Sequence, residues 1–200
     1  MPKKIGITGG IGAGKTTVCK IFEAMGIPVY DADSRARAIM TDDIKVVEQV
    51  MDLFGADAYQ KDGSLNRAYL AGIVFKDKKK LAALNAIVHP AVHADGEKWH
   101  ASFSGVPYTL KEAALLIESG GHKFLDKLIL VTAPEELRLE RVVARDGSTA
   151  EAVKARMDKQ MPENEKRRFA DFIIKNDGSE SLVKQVWKVH RQLIESSEKP

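Results

Sequence analysis

Cysteine is nearly absent from this sequence, since Cys19 is the only one in 200 residues. A single cysteine excludes an intramolecular disulfide and a metal site built from several thiolates. This scarcity is typical of proteins in a reducing compartment, and we expect a cytoplasmic protein without a signal peptide. No apolar run approaches the length of a membrane span, so we expect no membrane association.

Net charge is also small, because 31 basic side chains nearly balance 28 acidic ones and leave +3. So weak an excess gives no reason to expect a nucleic-acid partner. The hydrophobic fraction of 44% and the charged fraction of 30% are those of an ordinary globular protein, which excludes a disordered chain or a fibrous repeat. We expect a globular enzyme or binding domain.

Short apolar stretches predict five β-strands, at residues 4–8, 27–30, 108–114, 127–132 and 171–175. Helical patterns separate all five. Strands that alternate with helices predict a parallel sheet covered on both faces, with the ligand site at the carboxyl ends of the strands. The predicted fold class is therefore α/β, a three-layer fold with a five-stranded parallel sheet.

Two helical regions interrupt this alternation. Residues 34–105 show only helical spacing, first in Ile44, Val47, Met51 and Phe54 and later in a segment that begins at His89-Pro90. Within the second region, at residues 135–167, helices are predicted from Pro134 to Arg145 and from Ser148 to Met161, the second opened by a capping box of Ser148 and Glu151. We interpret the first region as a substrate-binding insertion and the second as a lid, around a core of about residues 1–33, 106–134 and 168–200. A helix with Leu182 and Leu193 on one face ends this core, and residues 196–200 are predicted to be a frayed tail.

The strongest motif is a glycine-rich loop between the first strand and the first helix. It matches G-x-x-x-x-G-K-[ST], the phosphate-binding loop of ATP- and GTP-binding proteins. The glycines let the backbone wrap closely around a phosphate, Lys15 reaches the β- and γ-phosphates, and the Thr16 hydroxyl is placed for Mg²⁺. The pattern G-x-G-x-x-G of dinucleotide-binding folds fails from every glycine in the loop. The predicted ATP-binding residues here are Gly9, Gly10, Gly12, Ala13, Gly14, Lys15, Thr16 and Thr17.

Two carboxylates follow the second predicted strand, which places them at the same edge of the sheet as the loop. Asp33 can orient a phosphoryl acceptor and take its proton late in the transfer. Either Asp31 or Asp33 can instead cap the helix that follows.

Arginines in the predicted lid form the third feature. Arg138, Arg141 and Arg145 share one helix face that can close over a triphosphate, although Glu135 and Glu140 offer surface ion pairs as an alternative. Glu118 follows an apolar run and is a weak candidate for an acidic group near Mg²⁺. His89 can contact an anionic substrate or simply mark the start of a helix.

Several pieces in the same order resemble the dephospho-coenzyme A kinase family. They span nearly the whole chain, and they are Thr8 to Thr17, Asp31-Ala32-Asp33 with Ala36-Arg37, His89-Pro90, Leu115 to Glu118, Arg156 with Gln160, and Ala170-Asp171 with Ile174 and Asn176. The resemblance implies a P-loop kinase fold and transfer of the ATP γ-phosphoryl group to the ribose 3′-hydroxyl of dephospho-coenzyme A.

The resemblance also assigns roles to residues. It implies that Asp33 is the base on the acceptor side, that Lys15 and Arg141 stabilise the transferring charge, and that Asn176 lies near the adenine. Arg138 would contact ATP, and the insertion would hold the acceptor with Asp31, Arg37 and His89. Two departures concern the third strand: Ala114 stands where the family usually has proline, and Lys111-Glu112 brings charge into the strand.

Two other interpretations stay open from the residues alone. Another small-molecule kinase of the same superfamily would share the loop but use a different acceptor. A nucleotide-dependent switch is disfavoured, because the sequence has no N-K-x-D guanine motif.

Overall fold

Five parallel strands form one sheet in the computed structural model, which describes residues 1–195. The order across the sheet is β2-β3-β1-β4-β5. Ile5 and Ile7 of the central β1 are completely buried, as expected for a parallel strand covered on both faces. The strands are β1 Lys3–Thr8, β2 Val29–Asp31, β3 Tyr108–Glu112, β4 Lys127–Thr132 and β5 Phe172–Lys175. The predicted α/β class and the five-stranded parallel sheet are confirmed, with strand ends shifted by two residues or fewer.

Nine α-helices lie within the described residues. They are α1 Lys15–Ala24, α2 Ala32–Asp42, α3 Ile44–Phe54, α4 Arg67–Val74, α5 Lys78–Ala101, α6 Glu135–Asp146, α7 Ala150–Met157, α8 Glu163–Lys166 and α9 Leu182–Glu195. Val18 and Phe22 of α1 and Val186 and Leu193 of α9 are buried in the core beside β1, which confirms the apolar faces predicted for both helices. The predicted tail at residues 196–200 lies outside the described range.

The chain divides into two units. The first consists of residues 1–31 together with the chain from His100 onward, and it contains the whole sheet. The second is Ala32–Trp99, and it is built from α2 to α5 with a short 3₁₀ turn at Ala56–Ala58. The proposed limits of the insertion and of the lid stay predictions.

The buried face of α3 differs from the predicted one. Val46, Val50 and Phe54 are buried, whereas Ile44 is 75% exposed and Met51 is 38% exposed. Both sets have helical spacing, and α3 is apolar on more than one side. Asp43 caps the helix by accepting hydrogen bonds from the backbone N–H groups of Lys45 and Val46. This cap fixes where the helix begins, but it does not determine which face of the helix is buried.

The prediction that a helix begins at His89-Pro90 was wrong, because both residues lie inside α5. Proline removes one backbone hydrogen bond and usually kinks or ends a helix. Here Val88 and Val92 are buried on the same face of the helix, while Pro90 and His89 are exposed. On the exposed side, water can donate a hydrogen bond to the carbonyl that proline leaves without a donor. The helix and its buried face therefore continue past Pro90.

The capping box predicted at Ser148 and Glu151 was also wrong by one residue. Thr149 is the residue that caps α7, and its side chain accepts a hydrogen bond from the backbone N–H of Ala152. The helix ends at Met157, four residues before the predicted end at Met161.

Tyr108 and His190 connect the sheet to α9. Tyr108 is completely buried, and its hydroxyl shares a hydrogen bond with Nδ1 of His190 over 2.6 Å. Burial raises the pKa of the Tyr108 hydroxyl far above its ordinary value and lowers the pKa of His190. Both side chains are therefore neutral in the folded protein near pH 7.

This pair predicts a loss of stability in mild acid. The unfolded chain takes up a proton on His190 near the ordinary pKa of 6.5, whereas the folded chain takes it up only at lower pH. The unfolded state therefore binds more protons as the pH falls below about 7, and the melting temperature should fall. Thermal unfolding of His190→Gln, whose amide does not titrate, should show a smaller decline between pH 7.5 and pH 5.5. An equal decline in both proteins would show that His190 is not responsible.

Candidate active site

The loop between β1 and α1, which we call the phosphate loop, runs from Gly9 to Thr16. A hydrogen bond of 3.1 Å from the N–H of Ala13 to the carbonyl of Gly10 closes its first half. Gly14 stands in the left-handed conformation immediately before α1, with φ of 88°. The first N–H groups of a helix have no acceptor within the helix, so the loop and the start of α1 together form an anion-binding site.

Arg138 of α6 packs directly against this loop. Gly12 has φ of 80°, and a Cβ there would collide with the backbone carbonyl oxygen of Arg138. A Cβ at Gly10 would collide with Nη1 of the same arginine. Its Nε donates a hydrogen bond of 3.1 Å to the carbonyl of Ala133. The structure thus brings Arg138 to the loop, as the sequence predicted, and its backbone leaves no space for a side chain at Gly12, whereas at Gly10 the arginine side chain would have to move.

Asn176, just after β5, joins the loop to α6. Its Nδ2 donates a hydrogen bond of 2.9 Å to the carbonyl of Ala13. The backbone carbonyl of Asn176 accepts a hydrogen bond of 3.0 Å from Nη2 of Arg141. A Cβ at Gly14 would collide with the side-chain amide of Asn176. Gly14, like Gly12, therefore combines a positive φ with a close neighbour. Asn176 and Arg141 therefore lie together beside the phosphate loop.

The other terminal nitrogen of Arg141 is unusual. Nη1 is buried and has no hydrogen-bond partner among residues 1–195. A buried charged donor without a partner costs free energy, and such a group is commonly satisfied by a ligand. An anion is the ligand that a guanidinium favours.

Lys15 lies at the other side of the loop, close to the sheet. Its Nζ donates a hydrogen bond of 3.3 Å to the carbonyl of Gly9 and lies 4.0 Å from a carboxylate oxygen of Glu112. Glu112 is 9% exposed at the end of β3, and it is the register partner of Asp31 on β2. Two carboxylates at adjacent strand ends thus lie near the loop lysine.

Sequence reasoning missed Glu112 as a site residue and treated it as a departure from the family pattern. The third strand was predicted to run to residue 114, so Glu112 fell inside it, whereas β3 ends at Glu112 in the structure and this carboxylate lies at the carboxyl end of the strand. The same observation had identified Asp31.

Thr16 and Thr17 are both exposed in the first turn of α1, directly after Lys15. No cluster of three or more histidine, cysteine or acidic side chains able to hold a metal occurs in the described part of the chain. Hard oxygen donors near the loop are nevertheless present in the Thr16 hydroxyl and in the carboxylate of Glu112.

Three predicted substrate-binding residues belong to the second unit. Asp33 is the second residue of α2. Arg37 donates a hydrogen bond of 2.7 Å from Nη2 to the hydroxyl of Ser34, one turn earlier on α2. His89 is exposed on α5.

A cavity of about 350 Å³ lies beside Gly10. Its walls combine Gly10 and Arg138 with the segment after α7, where Gln160 and Lys166 face it. Three acidic side chains, those of Glu135, Asp158 and Glu163, also line the cavity, together with Met157, Met161 and Pro162. The space adjoins the first half of the phosphate loop.

Glu118, which the sequence offered as an acidic group near Mg²⁺, has a structural partner. Its Oε1 accepts a hydrogen bond of 3.0 Å from the N–H of Met161 and lies 2.8 Å from Nζ of Lys166, which is 1% exposed. Burial alone would raise the pKa of Glu118, but the hydrogen bonds from Lys166 and from the backbone outweigh it and lower the pKa. Glu118 thus compensates a buried lysine.

Arg145 also differs from the prediction that it faces the triphosphate with Arg138 and Arg141. It donates hydrogen bonds to Asp146, which accepts another from Arg156. The Arg145 and Arg156 guanidinium groups hold the pKa of the exposed Asp146 at about 2. This cluster is a surface network.

The sheet order, together with a phosphate loop after the central strand, defines the class as a P-loop kinase. The family model described as dephospho-CoA kinase matches residues 3–181. A dephospho-CoA kinase from Aquifex aeolicus is 42% identical over 96% of this chain and 97% of its own length. The chain belongs to the dephospho-CoA kinase family.

Solved structures agree with this assignment. A Thermus thermophilus protein is 37% identical, with a TM-score of 0.85 over 96% of this chain and 97% of its own. A dephospho-CoA kinase from Campylobacter jejuni is 30% identical, with a TM-score of 0.72 over 98% of this chain and 99% of its own. Within residues 1–195, no helix combines the length and apolar character needed to cross a membrane.

The Glu118–Lys166 pair predicts the effect of Glu118→Gln. Glutamine keeps the size but removes the charge opposite Lys166, and breaking a fully buried pair in this way costs about 3–5 kcal/mol. Because 21% of the Glu118 side chain is exposed, we expect a smaller loss of about 1–3 kcal/mol in urea unfolding. The Mg²⁺ concentration that gives half-maximal activity should not change.

Glu163→Gln is the matched control. It breaks the more exposed pair of Glu163 with Arg167, one turn along α8, and should cost less than about 0.5 kcal/mol. A Glu118→Gln protein of unchanged stability that needs more Mg²⁺ would instead restore the metal-site interpretation.

Proposed function

We propose that this protein transfers the γ-phosphoryl group of ATP to the ribose 3′-hydroxyl of dephospho-CoA, the last step of coenzyme A biosynthesis. The observation that carries the proposal is the buried Nη1 of Arg141, which has no partner among the described residues. Its guanidinium contacts Asn176, and Asn176 contacts the phosphate loop. An anion bound at the loop would satisfy this donor.

The triphosphate of ATP would lie along the phosphate loop. The loop N–H groups and the start of α1 bind the phosphates, while Lys15 exchanges its contact with the Gly9 carbonyl for the β- and γ-phosphates. Arg138 and Arg141 add positive charge from α6. Asn176 would lie at the nucleotide end of the site, between Arg141 and the loop. The residues proposed to bind ATP are Gly9, Gly10, Gly12, Ala13, Gly14, Lys15, Thr16, Thr17, Arg138 and Asn176.

We propose Mg²⁺ as the companion of ATP. Mg²⁺ prefers hard oxygen ligands and keeps several waters, so it needs only one or two protein groups. The Thr16 hydroxyl would supply one ligand, and Glu112 would accept hydrogen bonds from its waters. When bound, the ion neutralises charge on the β- and γ-phosphates.

The transfer itself requires little covalent chemistry from the protein. Its loose transition state spreads charge over the phosphoryl oxygens, which Lys15 and Arg141 stabilise. Asp33 orients the acceptor hydroxyl and accepts its proton late.

The acceptor would bind to the insertion at about residues 34–105, and the lid would be residues 135–167. Dephospho-CoA is anionic and large, and Arg37 and His89 present exposed donors that can bind its phosphates. Asp31, at the end of β2, can accept hydrogen bonds from ribose hydroxyls. We place the reaction in the cytoplasm, in keeping with a chain whose one cysteine cannot form an internal disulfide.

An acceptor panel tests the proposed function. With Mg²⁺ and ATP, dephospho-CoA should be phosphorylated with a far higher kcat/KM than adenosine, AMP or shikimate, because binding energy from its remote parts can be used in the transition state. The product is identified by mass spectrometry, and Lys15→Ala serves as the inactive control. Equal use of AMP would contradict the proposed acceptor, whereas activity in Lys15→Ala would contradict the phosphate loop.

Asp33→Asn tests the proposed base. Asparagine keeps the size of the side chain but cannot accept the hydroxyl proton. General-base assistance gives about 10²–10⁴-fold, so kcat should fall within roughly that range while ATP affinity stays within a few-fold of the original.

Asp43→Asn is the control, because Asp43 caps α3 in the same unit and asparagine caps about as well as aspartate. Its turnover should be unaffected. If Asp33→Asn keeps turnover within about threefold of the original, well short of general-base assistance, Asp33 has no part in proton transfer.

A further inference from the structure

Gln160, which follows α7, makes a hydrogen bond to the phosphate loop. Its Oε1 accepts from the backbone N–H of Ile11 over 2.8 Å, although the two residues are 149 positions apart in the sequence. Ile11 is the third residue of the loop motif. Its N–H is thus engaged by the protein itself.

A second side-chain amide fixes the loop two residues later. Asn176 donates to the carbonyl of Ala13, 163 positions away. The peptide groups at Ile11 and Ala13 are thus held from two separate segments, one at the end of α7 and one after β5. Within the loop, the N–H of Ala13 also donates a hydrogen bond to the carbonyl of Gly10.

The segment that carries Gln160 is itself anchored. The N–H of Gln160 donates to the carbonyl of Met157 over 2.9 Å, which continues the last turn of α7. The N–H of the next residue, Met161, donates to Glu118, and Glu118 is held by the buried Lys166. The Gln160 side chain therefore projects from a fixed base toward the loop.

We propose that Gln160 is a positioning residue for nucleotide binding: it holds the Ile11 peptide so that the phosphate loop has its binding shape before ATP arrives. A loop that is ordered in advance loses less conformational entropy on binding, and this increases affinity. The inference rests on the proposed function in that it assumes that the loop binds the ATP phosphates.

Gln160→Met tests the contact, since methionine is similar in length and lacks the carbonyl acceptor. One net hydrogen bond corresponds to about 2- to 10-fold in an equilibrium constant, so we expect the Kd for ATP to rise by about that factor. Once ATP is bound, the phosphates impose the loop shape, and kcat at saturating ATP should stay within about twofold, below the effect of one net hydrogen bond. Amide exchange at Ile11 in the ATP-free protein should become faster.

Two further variants separate positioning from stability. Gln160→Glu keeps an acceptor oxygen and should retain slow exchange at Ile11, whatever its added charge does to ATP affinity. Thr149→Ala removes the cap of α7 and weakens the same segment without touching the loop. It should lower the melting temperature and leave Ile11 exchange and the Kd for ATP unchanged.

Each outcome decides the proposal. Unchanged Kd and Ile11 exchange in Gln160→Met would overturn it, as would the same loss of affinity in Thr149→Ala. Gln160 is only partly buried, so its variants should fold. If neither Gln160→Met nor Gln160→Glu folds, the proposal is also overturned, because the contact would then stabilise the whole fold and not the loop alone. If the unaltered protein does not bind ATP, the proposed function fails first.

Discussion

The phosphate loop depends on the absence of side chains at Gly12 and Gly14. Both have positive φ, and in both a Cβ would collide with a neighbour, the Arg138 carbonyl in one case and the Asn176 amide in the other. These two neighbours come from α6 and from the loop after β5, so the close approach brings distant parts of the first unit to one place. The position of Arg141 depends on the same arrangement, because Arg141 donates a hydrogen bond to the backbone carbonyl of Asn176.

A buried charge near the loop is a second constraint. Lys166 is almost wholly buried, and its charge is tolerated because Glu118 and the carbonyl of Ala114 face it. A buried ion pair of this kind contributes little net stability, but losing one partner is costly. Its value here is geometric, because Glu118 also fixes the backbone of Met161 beside the loop. Nη1 of Arg141, by contrast, is buried without a hydrogen-bond partner among residues 1–195.

Local patterns predicted the elements well and their limits less well. The faces of α1 and α9 followed from spacing alone, because each helix has one apolar face. For α3 the sequence offered two apolar faces, and the choice between Ile44 and Val46 depended on which one its neighbours cover. Proline is common in the first turn of a helix, and this preference predicts a helix start at His89-Pro90. Pro90 instead lies inside α5, on its exposed side, where the lost hydrogen bond costs least. Thr149 and Ser148 are both good caps, and only the backbone geometry selects between them.

The sequence by itself determined the α/β class, the phosphate loop and the family, since these depend on short spacings of glycine, lysine and apolar residues. It also placed Asp31 correctly at a strand end, whereas Glu112 lay inside the longer third strand that was predicted at residues 108–114 and was therefore missed. Only the tertiary structure decided that Gln160 contacts Ile11, that Asn176 contacts Ala13, and that Glu118 pairs with Lys166 instead of approaching a metal. The physical reason is that hydrogen bonds and ion pairs between segments depend on distance in space, and partners up to 163 positions apart leave no periodic trace in the sequence.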